Sequence, residues 1–312
     1  MHIHRWDLDK TYLDTDIHSV SGLLRAAVEP ATHKRTLPGA AALLRALCRC
    51  DKNARVCVLS GSPEQMRSVL EEKLQLDGVR FDQLLLKDNL GNIRKGRLRA
   101  VRGQVGYKLP RLLELRVGLG SATRETLFGD DSEADAAVYA LYADALAGRT
   151  DGASVERVLQ AAGAYPGAIR RARAALERLE HFDAVEQIFI RMLPRVPPAT
   201  FELLGPQIIP VFSWFQAALL LRLKDRIDDK GVAAVALACS RVPGDWAGWL
   251  TDMVRRGYLQ SPAALVMARQ IMGLAPAAEE IERRLSRMGP IACRRRHGPA
   301  DYVGFLRAVR AR

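Results

Sequence analysis

At 312 residues, 48% hydrophobic and 26% charged, the chain is long enough for two domains and has the composition of an ordinary soluble globular protein, which sets aside fibrous and disordered classes. Its formal net charge of +12 favours polyanionic partners, nucleic acid or an anionic membrane face, without choosing between them. Five scattered cysteines (Cys48, Cys50, Cys57, Cys239, Cys293) lack C-x₂-C spacing and read as thiols rather than zinc ligands; with no secretory signal at the N-terminus, a reducing cytoplasm is the expected setting.

Residues 1–150 alternate strand-like and helix-like segments. Ile3–Trp6 is short, alternating and half polar, and runs straight into Asp7. Its polarity predicts a first strand less deeply buried than usual. Pro38–Cys50 reads as a helix opened by Pro38 and Gly39. The run Arg55-Val56-Cys57-Val58-Leu59 reads as a buried parallel strand ending at Ser60. Pro63–Leu76 is an amphipathic helix and Gln83–Leu86 a short apolar strand. Pro110–Arg116 is a helix that begins after Lys108, and Glu125–Phe128 is a strand running into Gly129-Asp130. This alternation predicts an α/β domain, a Rossmann-like doubly wound parallel sheet with helices on both faces.

Past Gly148 the pattern becomes helical. Gly167–Phe182, Asp183–Leu193, Gly231–Arg241, Ser261–Met272 and Pro276–Met288 each carry helical periodicity, and no strand signal appears. The expected division is therefore 1–150 as the α/β domain and 151–312 as an all-α C-terminal domain, hinged at 148–152. The first part carries 23 basic against 19 acidic residues, the second 24 against 16. Leu203–Leu221 approaches the length of a membrane span, but Pro206, Gln207, Pro210, Ser213 and Gln216 favour a buried core helix. Phe212, Trp214 and Phe215 then read as core aromatics, and Trp246 with Trp249 as one packed helix face. Arg294-Arg295-Arg296-His297 is a basic cluster before the last helix, and Arg170-Arg171-x-Arg173 an exposed helix face.

Reactive groups in doubly wound sheets sit at the carboxyl ends of strands. Four such ends carry polar residues of a matching kind: Asp7-Leu8-Asp9-Lys10-Thr11, Ser60-Gly61, Lys108, and Gly129-Asp130-Asp131-Ser132-Glu133-Ala134-Asp135. The set suits phosphoryl transfer. A carboxylate can attack phosphorus, and a second carboxyl two residues on can protonate the leaving oxygen and then activate water. Mg²⁺ takes carboxylate oxygens, and a lysine with hydroxyl donors balances the charge on the phosphoryl group.

Over residues 3–145 this arrangement resembles the haloacid-dehalogenase (HAD) superfamily of phosphohydrolases. Asp7-x-Asp9-x-Thr11 matches its first motif, Ser60 the second, Lys108 the third, and Gly129-Asp130 through Asp135 the fourth. The resemblance implies Asp7 as nucleophile and Mg²⁺ ligand, and Asp9 as general acid/base whose main-chain carbonyl faces the metal. It implies Thr11, Ser60 and Gly61 as phosphate-binding groups, Lys108 as the balancing charge, and Asp130 with Asp131 or Asp135 as further metal ligands. Lys87 and Lys95 compete for the third motif; the spacing of Lys108 to Asp130 favours Lys108.

A closer resemblance is to the App1-type phosphatidate phosphatase catalytic domain (the DUF2183 group). It is carried by Arg35-Thr36-Leu37-Pro38-Gly39-Ala40, Leu59-Ser60-Gly61-Ser62-Pro63, Leu84-Leu85-Leu86-Lys87-Asp88, Tyr107-Lys108-Leu109, and the Asp130, Asp135, Tyr139 spacing. Tyr12–Leu37 has room only for a flap and Asn89–Tyr107 only for a loop or hairpin, so no large cap domain is expected. An uncapped site favours a bulky substrate: phosphatidate or another lipid phosphate, reached by peripheral membrane contact, or a nucleic-acid end gripped by a basic helical domain. An interaction scaffold with a vestigial site is the reading from a third class.

Overall fold

A computed structural model of the protein describes residues 1–15, 29–88, 103–132, 134–193, 197–239, 246–271, 273, 275–287 and 300–310. Lys95, Glu133, Cys293, the cluster Arg294–His297 and most of the segments expected as flap (12–37) and hairpin (89–107) lie outside these residues.

Six strands form one sheet: β1 (His2–Trp6), β2 (Arg55–Pro63), β3 (Gln83–Lys87), β4 (Arg124–Asp130), β5 (Val185–Arg191) and β6 (Ile208–Val211). Their order is β3-β2-β1-β4-β5-β6, and the pairs β1–β2, β2–β3, β1–β4 and β4–β5 are parallel. The order reverses beside β1, so the carboxyl ends of β1 and β4 form the switch point where such sheets place their ligands. Helices α1 (Ala40–Cys50), α2 (Arg67–Leu76), α3 (Val105–Arg116) and α4 (Asp135–Leu146) fall between or after these strands. The expected α/β layering of the first part is thus present.

β1 departs from its expected shallow placement: all five of its residues are buried. Two of its polar side chains, His2 and Arg5, find partners on β4, which offsets part of the penalty that buried polarity carries. His2 Nε2 meets Thr126 Oγ1 at 2.9 Å, and Arg5 makes two hydrogen bonds to Glu125 at 2.6 and 2.9 Å. Trp6 stacks on Phe128 with centroids 4.2 Å apart, and Phe128 on Phe189 at 5.4 Å. The registers Trp6↔Phe128 and Phe128↔Phe189 put these rings side by side on neighbouring strands. On the other face, Leu127, Ile188 and Ile190 join Leu112, Leu113 and the apolar residues of α4 in one core. All twelve residues of α4 are buried; its alanines allow that close approach.

The all-α reading of 151–312 is corrected by β5 and β6. Asp183–Leu193, expected as helix, contains β5. Four consecutive residues of β5, Gln187 to Ile190, are buried, and a strand covered on both faces shows no alternation to distinguish it from a helix. Leu203–Leu221 is not one helix: it holds the end of a 3₁₀ turn (Pro198–Leu204), then β6, then α7 (Trp214–Leu223). Among the described residues no helix is long and apolar enough to cross a membrane.

By contacts the chain divides into two compact units, and 148–152 lies inside the first. That unit comprises Met1–Arg35, Ala54–Pro210 and Gly298–Arg312, with the sheet, α2 to α4, α5 (Gly152–Ala161), α6 (Pro166–Leu176) and the last helix, Tyr302–Arg310. The second unit, Thr36–Asn53 with Val211–His297, gathers α1, α7, α8 (Asp229–Cys239), α9 (Trp246–Arg255), α10 (Ser261–Val266) and α11 (Ala275–Ser286). Within it Phe215, Trp246 and Trp249 pack edge-on or tilted. Buried Gln216 accepts from Phe212 N and donates to Trp249 O and Asp252. Phe212, expected in the core, is 44% exposed. It begins the turn into α7 and lies beside the Arg256 guanidinium.

Candidate active site

Asp7 is the first residue past β1, and its amide donates to Phe128 O at 2.9 Å, which holds the chain against β4 for one more residue. The loop then folds back on itself. Tyr12 and Leu13 amides donate to Leu8 O, and Lys10 N donates to Leu13 O. Leu8, Tyr12 and Leu13 are buried and anchor the loop, while Lys10 takes a left-handed backbone with φ +59°, a conformation that costs a non-glycine residue about 1–2 kcal/mol.

Three carboxylates converge beside this loop. Asp7, Asp130 and Asp135 each offer an oxygen within 4.8 Å of the others, and all three are buried. Asp130 ends β4 and Asp135 begins α4, where a carboxylate also suits the positive end of the helix dipole. Lys108, fully buried on the first turn of α3 rather than ahead of a helix, lies between two of them. Its Nζ donates to Asp7 Oδ1 at 2.7 Å and to Asp135 Oδ1 at 2.5 Å. Burial, helped by the charge of Asp130, pushes the Asp135 carboxyl up to about 6 against the pull of Lys108. Asp135 Oδ2 is buried with no hydrogen-bond partner among the described residues. A set of hard oxygen donors with such an oxygen left over fits a divalent cation.

The other expected residues have distinct places. Asp9 lies near the cluster but its carboxylate is gripped by hydroxyls: Ser60 at 3.0 Å, Ser62 at 2.7 Å and Thr15 at 2.9 Å. Thr11 Oγ1 donates to Asp130 Oδ2 at 3.0 Å, and Ser132 N to Asp130 Oδ1 at 2.6 Å. Asp131, expected as a possible metal ligand, turns away from the triad, because its Oδ1 accepts from Leu193 N at 2.7 Å. Burial first, then Asp130, pushes its carboxyl up to about 7 despite that hydrogen bond. Gly61 lies under the Gln104 amide. Lys87 donates to Gly103 O at 3.0 Å and lies over the Tyr107 ring, whereas Lys108 donates to Asp7.

Sequence reasoning missed Ser62, Thr15 and Gln104 as neighbours of the site. Ser62 had a signal, its two-residue spacing from Ser60 along a strand. Thr15 and Gln104 had none.

A parallel α/β sheet with three carboxylates and a lysine gathered at the carboxyl ends of its central strands defines the class: an α/β protein with an acidic site at the switch point of its sheet. Residues 6–155, just under half of the chain, match the family model described as the catalytic domain of phosphatidate phosphatase APP1. The match agrees with the resemblance that the motifs of this segment carry, and it supports a phosphatase enzyme. No curated protein and no solved structure gives a significant match to the chain.

Proposed function

We propose that the chain is a Mg²⁺-dependent phosphomonoester hydrolase of haloacid-dehalogenase type, acting through an aspartyl-phosphate on phosphatidate or another lipid phosphate. The observation that carries this reading is the meeting of Asp7, Lys108, Asp130 and Asp135 at the carboxyl ends of β1 and β4, within the segment that matches the APP1 catalytic domain.

A carboxylate oxygen of Asp7 attacks phosphorus, and the bond to the leaving oxygen breaks as the Asp7–phosphorus bond forms. Asp9 gives its proton to the leaving oxygen. Water then attacks the aspartyl-phosphate, Asp9 takes a proton from it, and the bond to Asp7 breaks to release inorganic phosphate. For this, Asp9 exchanges its grip on Ser60 and Ser62 for the substrate, which leaves those hydroxyls to donate to phosphoryl oxygens, and Thr11 joins them by giving up its bond to Asp130. Lys108 stays on Asp7 and offsets the charge that gathers on the phosphoryl group. Asp7, Asp130 and Asp135 would hold the Mg²⁺ ion, which when bound screens the phosphoryl oxygens from the attacking carboxylate.

The lipid substrate comes from the family's description, and peripheral contact with a membrane surface would deliver it. The nucleic-acid reading rests on net charge, and many of the arginines beyond residue 150 are engaged with the protein's own carboxylates. Arg171 pairs with Glu114, Arg173 with Glu177, Arg269 with Glu282, and Arg283 and Arg284 with Glu280.

Asp7→Asn keeps the shape of the nucleophile and removes its charge. It is expected to lower turnover of p-nitrophenyl phosphate and of dispersed phosphatidate by on the order of 10³-fold or more, with the fold intact by circular dichroism. Unchanged Mg²⁺-dependent turnover in that variant would sink the proposal.

A further inference from the structure

Arg191 is the last residue of β5, a strand that begins well beyond the APP1-type segment. Its register partner on β4 is Asp130. Its Nη1 donates to Lys10 O at 3.2 Å, in the loop that follows Asp7, and its main-chain oxygen accepts from Asp131 N at 3.2 Å. Two residues on, Leu193 N donates to Asp131 Oδ1. The end of β5 thus ties together the two turns that present the carboxylates, one after β1 and one after β4. The guanidinium is partly buried and lies in the field of Asp130, Asp14 and Asp131. Lys10 is strained by its left-handed backbone, and the bond from Arg191 holds that turn.

We infer that Arg191 is a positioning residue of the active site, holding the Asp7–Leu13 loop in its reactive shape through the Lys10 carbonyl while its charge faces the Asp130–Asp131 turn. The working site then extends past residue 155, to the fifth strand of the sheet. Arg191 touches no reacting atom in this scheme. It sets where Asp7 and Asp9 lie relative to Asp130. Misplacement of reacting groups by an ångström is costly, and a loop released at Lys10 can drift by that much.

The test is Arg191→Met, which keeps the apolar stem and removes the fork and the charge, with Arg191→Gln serving where Met does not fold. The kinetic half rests on the phosphatase reading; the exchange half does not. Hydrogen exchange on the full-length protein should show faster exchange in the peptide 8–14, with β1 (2–6) still protected. With p-nitrophenyl phosphate and saturating Mg²⁺, kcat should fall by about tenfold or more while KM stays within about twofold. Arg191→Lys, which restores charge and one donor, should bring loop protection and kcat back to within about threefold of the parent. Unchanged exchange at 8–14 overturns the inference whatever the activity. Faster exchange spread equally over β4 to β6 overturns it too, since that marks a role in the sheet alone. An inactive parent enzyme with the expected exchange pattern would instead count against the phosphatase reading and leave the positioning role standing.

Discussion

Gly129 and Gly61 both lie at strand ends beside the carboxylates, yet a methyl group would meet different neighbours at the two. At Gly129 it would come within 2.7–2.8 Å of Asp135 Oδ2, Asp135 Cβ and Tyr139 Cε2. None of these can move cheaply, because α4 is buried throughout and Asp135 is fixed by Lys108. At Gly61 all the close atoms belong to the end of the Gln104 side chain, which can swing aside. Gly129→Ala is therefore expected to cost about 1–3 kcal/mol in urea denaturation and to weaken Mg²⁺ binding by displacing Asp135. Gly61→Ala should cost less than about 1 kcal/mol. Equal losses at the two positions would mean that backbone conformation, not the neighbours, sets the requirement for glycine. At this scale the motifs in the sequence were informative: Asp7, Lys108, Asp130 and Asp135 do meet. What the spacing concealed was which acids turn inward. Asp131 and Asp135 look alike in sequence, and the hydrogen bond of Asp131 to Leu193, two residues past a strand that could not be recognised, separates them.

One buried network joins four elements of the sheet domain. Glu125 on β4 accepts from Arg5 on β1, from Arg116 on α3 at 3.0 Å and from Tyr142 on α4 at 2.9 Å. Burial alone would push its carboxyl up, but the charge of Arg5 and its hydrogen bonds, with those of Arg116 and Tyr142, hold it below its ordinary value. A carboxyl so lowered contributes stability that is fully present above about pH 4.3, the ordinary glutamate value, and that is lost as pH falls through the lower folded-state value. Glu125→Gln leaves two buried guanidiniums facing a neutral amide and should cost about 3–5 kcal/mol at pH 7. The penalty should shrink as pH drops below the ordinary glutamate value, where the unfolded parent takes up a proton that the folded parent does not. Urea denaturation of both proteins from pH 7 to pH 3 checks this, and a gap that stays constant over the range would refute it. The polar residues of Ile3–Trp6 hinted at a shallow strand because the sequence near Arg5 holds no sign of Glu125, its partner 120 residues away. β5 was hidden for a related reason: a strand between two buried layers shows no alternation, and its pairing with β4 is a long-range fact.

The family match ends at residue 155 but the sheet does not, and the core depends on the residues C-terminal to it. Beyond that point come β5 and β6, whose Ile188 and Ile190 pack with Leu127 and α4. So do the turn Pro198–Leu204 and the last helix, where Phe305 lies 5.4 Å from Phe201. Tyr302 on that helix also donates to buried Asp144 of α4. A chain cut after residue 155 would leave β4 as an open edge and expose one side of a helix that carries almost no polar residue. We expect residues 1–155 expressed alone to be insoluble, or to lack a cooperative melting transition, whereas the 312-residue chain melts cooperatively. The same cut removes Arg191, so refolding 1–155 at high Mg²⁺ should not recover phosphatase activity even if some helix forms. Circular dichroism, gel filtration and a p-nitrophenyl phosphate assay on both chains settle the matter. A monomeric, cooperatively melting and active 1–155 would show that β5, β6 and the last helix are additions to a self-sufficient domain. The opposite result would make the catalytic unit a discontinuous one, closed by the chain's final helix.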